Sequence, residues 1–470
     1  MSRKKFKLFS LFSGAGGMDL GFRLSGKFRN LLANDILPAP AETYAENFCH
    51  RIVTTDRIAP DIKLPLYIVG DIADINFDLF KCEEPEVIVG GPPCQDFSIV
   101  RGPQKERQGI SVKRGRLYSH FIRALIHIQP RIFVFENVPG LKSANNGSAF
   151  RTILDDFSKL NIRWHEVRSI IGNSFENEIR NYEIIFHGVI NSAWLGVPQR
   201  RKRLIIVGVR EDLIDRDWLK RRDTLVKEAE NILLGHRSLL RKYPVTPLEA
   251  FEGLTLPDVK DEYKKIMKEY EGTADIARTY RALEWKEKIW KNLSFDVLKD
   301  YFRANNIIPG PMKEIEKAFE EHEKVLKQLG YYKSRVEGKK FADGSNDIPA
   351  ELESVLERQR IIPPDENCVF VKGTKWEVEG RGMSLIYRRI HPLKPSYTVV
   401  AYGGGGTWSY HYKKERGKLT NRERARLQTF PDSFVLKGSI SQVRAQLGEA
   451  VPPLLGEKIA EVALTVLKTR

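Results

Sequence analysis

Glycine and acidic residues end three apolar runs near the start of the chain, where they could bind a ligand. The first run leads into the turn 13–17 (SGAGG), Asp35 ends the second run 21 residues after Gly14, and Asp71 ends the third. A glycine turn allows the backbone to approach a ligand closely. A carboxylate at this distance from the turn, as at Asp35, can accept hydrogen bonds from ribose hydroxyls. Each residue alone is more often a turn or helix cap. The three in order favour a nucleoside ligand.

The glycine turn is not a dinucleotide fingerprint. Asp19 stands where the pattern GxGxxG requires its third glycine. An adenosine with a tail other than pyrophosphate therefore fits better than NAD, and an NAD-dependent enzyme is the less favoured alternative.

A cysteine follows the fourth run in an unusual local sequence. Cys94 comes directly after the segment 90–93 (GGPP), whose two prolines restrict the backbone before the sulfur. A thiolate at such a place can act as a nucleophile if nearby positive charge or a helix N-terminus stabilises it. Free cysteine is more commonly a small buried core residue. The two prolines before Cys94 and its position after a strand favour a role as nucleophile over a role as a core residue.

An acid and a cluster of cations complete the residues that could do chemistry. Glu136 ends the fifth run, where a carboxyl is costly without a partner and burial raises its pKa. It could hydrogen-bond a ring nitrogen or pair with a structural arginine. The segment 199–203 (QRRKR) precedes the last run. Such cations either form a solvated face or hold phosphates or a pyrimidine oxygen.

Seven short apolar runs carry these residues. They are 7–12, 30–35, 66–71, 86–91, 131–137, 182–189 and 203–209. Runs without polar alternation are typical of strands buried on both faces. Between them lie segments with helical spacing, such as Leu117, Phe121, Leu125 and Ile128. This alternation predicts an α/β fold with a doubly wound, mostly parallel sheet, whose ligands bind beyond the carboxyl ends of the strands.

The composition changes after about residue 210, which predicts a second domain. Residues 211–387 contain charged amphipathic segments and then short pieces rich in glycine, aromatic and basic residues. Near the end, one helical face carries Leu455, Ile459, Val462, Ala463 and Val466. We therefore expect a catalytic domain in two parts, 1–210 and 388–470, with a returning helix and the inserted domain 211–387 between them.

The bulk composition narrows the partners and the cellular setting. Lys and Arg outnumber Asp and Glu by 77 to 61, a net charge of +16 that favours nucleic acid as partner, although a merely soluble basic protein could carry it. The four cysteines form no CxxC pair, so we expect no metal site and no disulfide framework. The apolar run at the N-terminus is too short for a secretory signal, and no segment has the roughly 18 apolar residues of a membrane span. We expect a cytoplasmic protein with no membrane partner.

Five segments together resemble the ordered motifs of the DNA (cytosine-5)-methyltransferases. They are 11–22 (LFSGAGGMDLGF), 91–98 (GPPCQDFS), 135–141 (FENVPGL), 196–209 (GVPQRRKRLIIVGV) and 419–434 (LTNRERARLQTFPDSF). The match covers about 1–210 and 388–470 in the family's order and spacing. The resemblance implies a Rossmann-like methyltransferase sheet, with residues 211–387 as a target recognition domain.

The resemblance also implies a cofactor, S-adenosylmethionine, and residues that bind it. Asp35 would take the ribose with Ile36 beside the adenine, and Asp71 with Ile72 would bind the adenine edge. The other implied cofactor residues are Phe12, Ser13, Gly14, Gly16 and Ala450.

For catalysis, the resemblance makes Cys94 the nucleophile, Glu136 the group at the cytosine ring nitrogen, and Arg201 and Arg203 the arginines that hold the target nucleotide. The segment 101–117 resembles the mobile loop that closes over DNA. The implied DNA contacts are Gln95, Ser98, Arg114 and Gln199. The implied partner is double-stranded DNA, and a stand-alone enzyme of this size suits a monomer in a prokaryotic restriction–modification system, with a cognate restriction endonuclease acting separately.

Two departures from the family pattern and two rival interpretations accompany the resemblance. Glu449 stands where the family's last motif usually has asparagine, and the acidic residue often found before the loop arginine is missing ahead of Arg114. A tRNA cytosine methyltransferase is the nearest rival, disfavoured by the large inserted domain. A catalytically inactive DNA-binding regulator is the other, disfavoured because Cys94, Glu136 and the glycine turn are all present.

Overall fold

The structure, a computed structural model, describes residues 5–93, 117–160, 179–213, 216–378, 386–401 and 409–468, with only the main chain at 216–221. The chain packs as two compact units. The first unit is Met1–Ser192, Lys202–Arg237 and Ala450–Arg470, and the second unit is Ala193–Arg201 and Ser238–Glu449.

An eight-stranded sheet forms the centre of the first unit. Its strands are β1 (Phe6–Leu11), β2 (Phe28–Asp35), β3 (Arg51–Thr54), β4 (Leu66–Val69), β5 (Val87–Gly90), β6 (Ile132–Asn137), β7 (Tyr182–Asn191) and β8 (Lys202–Arg210). They are ordered β3-β4-β2-β1-β5-β6-β8-β7. Strands β1 to β6 run parallel, whereas β8 is antiparallel to both β6 and β7. The predicted α/β fold with a mostly parallel sheet is therefore confirmed.

All seven apolar runs are strands, and one strand was missed. Strand β3 has only four residues, Arg51–Thr54, three of them exposed. Its register with β4 places it at the edge of the sheet. An edge strand this short buries too little apolar surface to leave a pattern in the sequence.

Helices cover the sheet of the first unit and bury their apolar faces in its core. They are α1 (Gly17–Leu24), α2 (Pro38–Phe48), α3 (Leu117–Ile128), α4 (Ser148–Ser158), α5 (Arg216–Leu233) and, from the chain's end, α15 (Pro453–Leu467). In α3 the predicted face is buried at Phe121, Leu125 and Ile128. Phe121 contacts the rings of Phe133 and Phe135 on β6 at centroid distances of 6.1 and 5.5 Å, so helix and sheet share one aromatic core.

The chain's last helix packs against its first. The apolar face predicted for α15 is buried throughout. At the crossing, a Cβ added to Gly456 would lie 2.6 Å from the carbonyl oxygen of Met18, and one added to Gly21 would lie 2.3 Å from the amide nitrogen of Glu457. Glycines on both helices let α1 and α15 approach backbone to backbone, and α1 opens with the glycine turn.

In the second unit, the regular secondary structure of the described residues is helical, apart from isolated β-bridges. Its helices are α6 (Pro247–Glu252), α7 (Lys260–Lys268), α8 (Thr273–Ala277), α9 (Tyr280–Lys288), α10 (Val297–Ala304), α11 (Met312–Gln328), α12 (Glu353–Ile361), α13 (Asn421–Leu427) and α14 (Ile440–Glu449). Aromatic and aliphatic residues from 243 to 427 form its main core. Within the described ranges, no helix of either unit is both long and apolar enough to cross a membrane.

The two units do not follow the predicted domain bounds. Residues 211–237 continue the first unit, because α5 packs on β7 and on α15. Residues 388–449 belong to the second unit, because Ile390, Val399 and Leu427 lie in the same core as Tyr263. The division of labour between a catalytic and a recognition domain remains a prediction.

Candidate active site

The carboxyl ends of the parallel strands bring the predicted ligand-binding residues to one edge of the sheet. The turn after β1 has a left-handed backbone at Phe12, Gly14 and Gly16, with φ of 55°, 52° and 85°. That conformation is uncommon for a bulky residue such as phenylalanine, and strain of this kind clusters at functional sites. A Cβ added at Gly16 would lie 2.7 Å from the ring of Tyr44, whereas one added at Gly14 would meet no atom within 4 Å. The turn is therefore closely packed at Gly16 and has open space beside Gly14.

Three of the five main-chain N–H groups of this turn donate hydrogen bonds within the protein. Ser13 N–H donates to the Asn34 carbonyl (2.8 Å), Gly14 N–H to the Asp35 carboxylate (3.0 Å) and Gly16 N–H to the Ser13 carbonyl (3.0 Å). A phosphate needs such groups free, and it would also meet the Asp35 carboxylate. The turn therefore suits a ligand without a phosphate here, which agrees with the missing third glycine of the dinucleotide pattern.

Asp35 and Ile36 place a carboxylate and an apolar side chain side by side at the end of β2. One Asp35 oxygen accepts the Gly14 N–H and the other accepts the Leu37 N–H at 3.1 Å. Each carboxylate oxygen can accept a second hydrogen bond. Burial raises the pKa of Asp35, against the hydrogen bonds from the main chain that lower it. Ile36 is 62% exposed, enough to cover one face of a flat ring.

Asp71 begins a short 3-10 helix, Ile72–Asp74, and its carboxylate accepts the Ala73 N–H at 2.9 Å. Ile72 is buried. Sequence reasoning missed the residue that holds this turn: Arg123 on α3 donates to the carbonyl of Ile72 and, at 2.8 Å, to that of Ile75. Arg123 left no signal in the sequence beyond its place on an otherwise apolar helix.

Glu136 and Arg203 form an ion pair at the same edge. The Arg203 Nε lies 2.9 Å from Glu136 Oε1, and both side chains are largely buried. Glu136 is near the end of β6 and Arg203 near the start of β8; because these strands are antiparallel, both ends meet. The other oxygen, Oε2, lies 2.5 Å from the position that a Cβ on Gly91 would occupy. Two predicted catalytic residues are thus brought together beside Gly91, which precedes Cys94 by three residues in the sequence.

The segment that leads to Cys94 is held by Asn137. Its side-chain amide donates to the carbonyl of Pro92 at 3.2 Å, and its side-chain oxygen accepts the Val138 N–H at 2.9 Å. The predicted residues Cys94, Gln95, Ser98 and Arg114 lie outside the described residues. The roles of Gly91 and Asn137 were not foreseen, although both stand beside predicted site residues.

Gln199 and Arg201 lie in the interior of the second unit. The Gln199 side chain donates to Leu427 and Gln428 and accepts the Val399 N–H at 2.8 Å. The Arg201 guanidinium donates to main-chain carbonyls of Val399 (3.1 Å), Gly448 (2.8 Å) and Glu449 (3.3 Å). Both side chains are completely buried. These contacts give them structural partners and leave their predicted contacts with DNA and the target nucleotide without support.

The motif at 448–453 joins the two units along the chain. A Cβ added to Gly448 would lie 2.0 Å from the amide nitrogen of Ala401, so only glycine fits there. Glu449 is exposed and Ala450 is partly buried. Among the described residues, no group of histidine, cysteine and acidic side chains could hold a metal ion.

Comparison with known proteins identifies the family. The family model for C-5 cytosine-specific DNA methylases matches residues 6–464, nearly the whole chain.

The chain belongs to the C-5 cytosine-specific DNA methylase family.

Two curated relatives show how closely this methylase follows other members. It is 51% identical to DNA (cytosine-5-)-methyltransferase M.ApeKI of Aeropyrum pernix, over 98% of this chain and 99% of that protein. It is 31% identical to Type II methyltransferase M.NgoFVII of Neisseria gonorrhoeae, over 99% of this chain and 87% of that protein. A solved structure described as a DNA modification methyltransferase encoded within a prophage (E. coli) shares the fold, with a TM-score of 0.54 at 20% identity, covering 98% of this chain and 99% of that one.

Proposed function

We propose that this methylase transfers a methyl group from S-adenosylmethionine to carbon 5 of a cytosine in a specific duplex DNA site, with Cys94 as covalent nucleophile. One observation carries the proposal beyond the family: the Glu136–Arg203 pair lies against Gly91, three residues before Cys94. In this proposal the Cys94 nucleophile and the Glu136 carboxyl, which binds the ring nitrogen, both contact the same pyrimidine.

The glycine turn and the two acidic strand ends are the proposed cofactor site. The cofactor, when bound, supplies the methyl group as an electrophile on a sulfonium sulfur. Asp35 accepts the ribose hydroxyls, and the exposed Ile36 covers the adenine. The open space at Gly14 accommodates the tail, and Asp71 accepts from the adenine edge. Phe12, Ser13, Gly16, Ile72 and Ala450 complete the proposed site.

Cytosine carbon 5 is too weak a nucleophile to take a methyl group unaided. The Cys94 thiolate forms a bond to carbon 6, which places electron density on carbon 5. Glu136 holds a hydrogen bond or proton at ring nitrogen 3, and Arg203 keeps that carboxyl in place. Carbon 5 takes the methyl group and then loses its own proton, and the carbon–sulfur bond breaks to return the thiolate and an aromatic ring.

A duplex buries this ring, so we propose that the target cytosine is flipped out of the stack. Unstacking costs a few kcal/mol, which contacts to DNA must offset. The segment 101–117 and the second unit supply those contacts in this proposal. Gln95, Ser98 and Arg114 are proposed DNA contacts on sequence grounds; Gln199, being buried, acts by holding the second unit together.

The name of M.NgoFVII as a type II methyltransferase supports a role in a restriction–modification system. In that setting the enzyme works in the cytoplasm and protects host DNA from a separate cognate endonuclease. Mapping methylated cytosines in both DNA and tRNA from cells that express the protein identifies the substrate and the site. Methylation at one short sequence supports the proposal, and methylation confined to tRNA contradicts it.

Cys94→Ala tests the nucleophile directly. The variant should lose methyl transfer to DNA while its DNA Kd stays within about 3-fold of the wild-type value, because removing one thiol takes away the covalent step and not the contacts. Methyl transfer at the wild-type rate would refute the assignment.

A further inference from the structure

Asp19 is a buried acid that none of the proposed steps uses. It lies in the first turn of α1 and is 1% exposed. Ionisable side chains are costly to bury and persist only where hydrogen bonds compensate. Its carboxyl has three such bonds: Ser10 Oγ donates at 2.9 Å, Asn30 Nδ2 at 2.7 Å and the Tyr44 hydroxyl at 3.1 Å. We call Ser10, Asp19, Asn30 and Tyr44 the Asp19 cluster.

The Asp19 cluster joins four elements beneath the glycine turn. Ser10 is on β1, Asn30 on β2, Tyr44 on α2, and Asp19 itself opens α1. Asn30 also donates to the Tyr44 hydroxyl at 3.1 Å, so the three partners form one network. A salt bridge or an apolar core residue could not satisfy three donors that converge from three directions.

Tyr44 connects the cluster to the turn. Its ring stacks on Phe48 with 4.2 Å between centroids, and both rings lie 2.7 Å from where a Cβ on Gly16 would be. The Tyr44 ring also lies 5.0 Å from the ring of Tyr67, whose hydroxyl donates to the carbonyl of Gly14 at 3.0 Å. The position of the Tyr44 ring therefore bears on both left-handed glycines of the turn.

Ser10 connects the cluster to the turn by a second route. Its carbonyl accepts the Ser13 hydroxyl at 2.9 Å. Ser13 also makes three hydrogen bonds with the main chain of Asn34. Its amide and its hydroxyl donate to the Asn34 carbonyl, and its hydroxyl oxygen accepts the Asn34 N–H. A shift of Ser10 would therefore displace Ser13, the first residue of the turn.

We propose that Asp19 is a positioning residue for the cofactor: its carboxyl fixes β1, β2 and α2 so that the turn 13–17 keeps the backbone that the cofactor contacts. The inference rests on the proposed binding of S-adenosylmethionine at this turn. Asp19 acts through the turn and touches no reacting atom. Its loss should therefore weaken cofactor binding and leave the rate of the chemical step unchanged.

Three substitutions at position 19 separate positioning from packing. Asp19→Asn keeps one oxygen for Asn30 and Tyr44, and its amide can donate to Ser10, whose hydroxyl rotates to accept. Asp19→Leu fills the space but leaves the Ser10 and Tyr44 hydroxyls without the Asp19 acceptor and Asn30 with only the Tyr44 hydroxyl. Asp19→Ala also leaves a cavity. We expect Asn to rescue what Leu and Ala lose.

The experiment measures cofactor binding to the purified full chain by calorimetry with S-adenosylhomocysteine, together with kcat and the cofactor KM for methyl transfer. Asp19→Leu and Asp19→Ala should raise Kd and KM by about 10-fold or more, with kcat at saturating cofactor within about 3-fold of wild type. Asp19→Asn should stay within about 3-fold on all three quantities.

Asp300→Ala in the second unit is the matched control. Asp300 is 3% exposed and accepts from the Tyr263 hydroxyl at 2.9 Å and from the amides of Ser294 and Phe295 at 3.0 Å. Its loss should lower Tm as much as the loss of Asp19 but should not change the cofactor Kd.

Each result of these measurements either supports or overturns the positioning role of Asp19. An unchanged Kd in Asp19→Leu and Asp19→Ala, or a loss confined to kcat, overturns the positioning role. So does an equal rise of Kd in Asp300→Ala, which would show a general effect of lost stability. If the Ala and Leu variants do not fold, Tyr44→Phe, which removes one donor to Asp19 and keeps the ring, must raise the cofactor Kd, and an unchanged Kd in that variant overturns the positioning role. Wild-type protein that is folded yet binds no cofactor refutes the proposed function itself.

Discussion

At the scale of single residues, the site depends on how one carboxyl is shared. Glu136 gives one oxygen to Arg203 and turns the other toward Gly91. A largely buried pair of this kind gains from a reduced dielectric, but removing one partner leaves an uncompensated charge. The arginine is therefore as necessary to the acid's position as the acid is to the ring nitrogen.

Arg203→Ala should lower kcat for methyl transfer by about 100-fold or more, because the carboxyl that serves the ring loses its fixed position. Single-turnover transfer at saturating DNA and cofactor measures this rate. Arg210→Ala is the control: Arg210 ends the same strand and pairs with Asp212 at 2.7 Å. A rate loss of equal size in both variants would contradict the assignment, since it would reflect damage to β8 alone.

Asp19 should make stability depend on pH. Burial raises its pKa from 3.8 to about 6 in the folded protein, in spite of the hydrogen bonds that lower it. A raised carboxyl pKa favours folding below the unfolded pKa, and this contribution disappears as pH rises through the folded pKa. From pH 4 to pH 7 the wild type should therefore lose on the order of 3 kcal/mol relative to Asp19→Asn. Urea unfolding of both proteins across this range measures the difference, and a difference independent of pH would contradict the prediction.

At the scale of elements, strand direction decides which motifs meet. Gly91 directly follows β5, and Glu136 lies near the end of β6. Because these strands are parallel, both residues lie at the carboxyl edge of the sheet. Arg203 reaches that edge only because β8 runs antiparallel to β6 and begins there. An apolar run does not reveal its direction, which is why the place of Arg203 could be inferred from the family resemblance and not from the run itself.

The crossing of α1 and α15 should tolerate no side chain. Gly456→Ala would gain up to about 1 kcal/mol in helix propensity, but its Cβ would lie 2.6 Å from the carbonyl oxygen of Met18. Overpacking against backbone usually costs about 1–3 kcal/mol, so the clash should exceed the gain.

Thermal unfolding measures the effect, and Tm should fall by several degrees in Gly456→Ala. The control is Glu461→Ala on the same helix. Glu461 is exposed and pairs with Lys458, so its loss should leave Tm nearly unchanged. A Tm in Gly456→Ala at or above the wild-type value would show that the helices can separate without cost.

The sequence predicted where the site residues stand along the strands, but not what they bind within the protein. Asp35 ends β2 and Asp71 lies two residues beyond the end of β4, close to the ends of the apolar runs, since apolar runs stop where burial stops. Their hydrogen bonds to the Gly14 and Ala73 amides depend on turns whose geometry no periodicity encodes. The sequence was least informative about the contacts of Arg201, because a run of cations does not show which of them is buried.

At the scale of the whole molecule, the fold was predicted more reliably than the bounds of its parts. Residues 193–201 lie between two strands of the sheet yet pack in the second unit, where Gln199 pairs with Ser396. Residues 388–449 carry family motifs and share the core of the second unit. Motif order along the chain therefore did not predict packing, because a core is defined by contacts between segments distant in sequence.

The net charge of +16 should make DNA binding strongly dependent on salt, because each neutralised phosphate releases counterions. The DNA Kd should weaken by at least about 10-fold between 50 and 200 mM salt. The Kd for S-adenosylhomocysteine should change little, because the proposed cofactor site makes no phosphate contact. Fluorescence anisotropy and calorimetry measure the two constants, and a DNA Kd that does not vary with salt would contradict a phosphate-dominated interface.

The most direct test of the account is covalent trapping on DNA that carries 5-fluorocytosine at the target position. Fluorine at carbon 5 cannot leave as a cation, so the bond between Cys94 and carbon 6 should persist after methyl transfer. A denaturing gel should show a protein–DNA adduct that requires cofactor and is missing in Cys94→Ala. Normal methylation of unmodified DNA without any adduct on the fluorinated site would contradict covalent catalysis by Cys94.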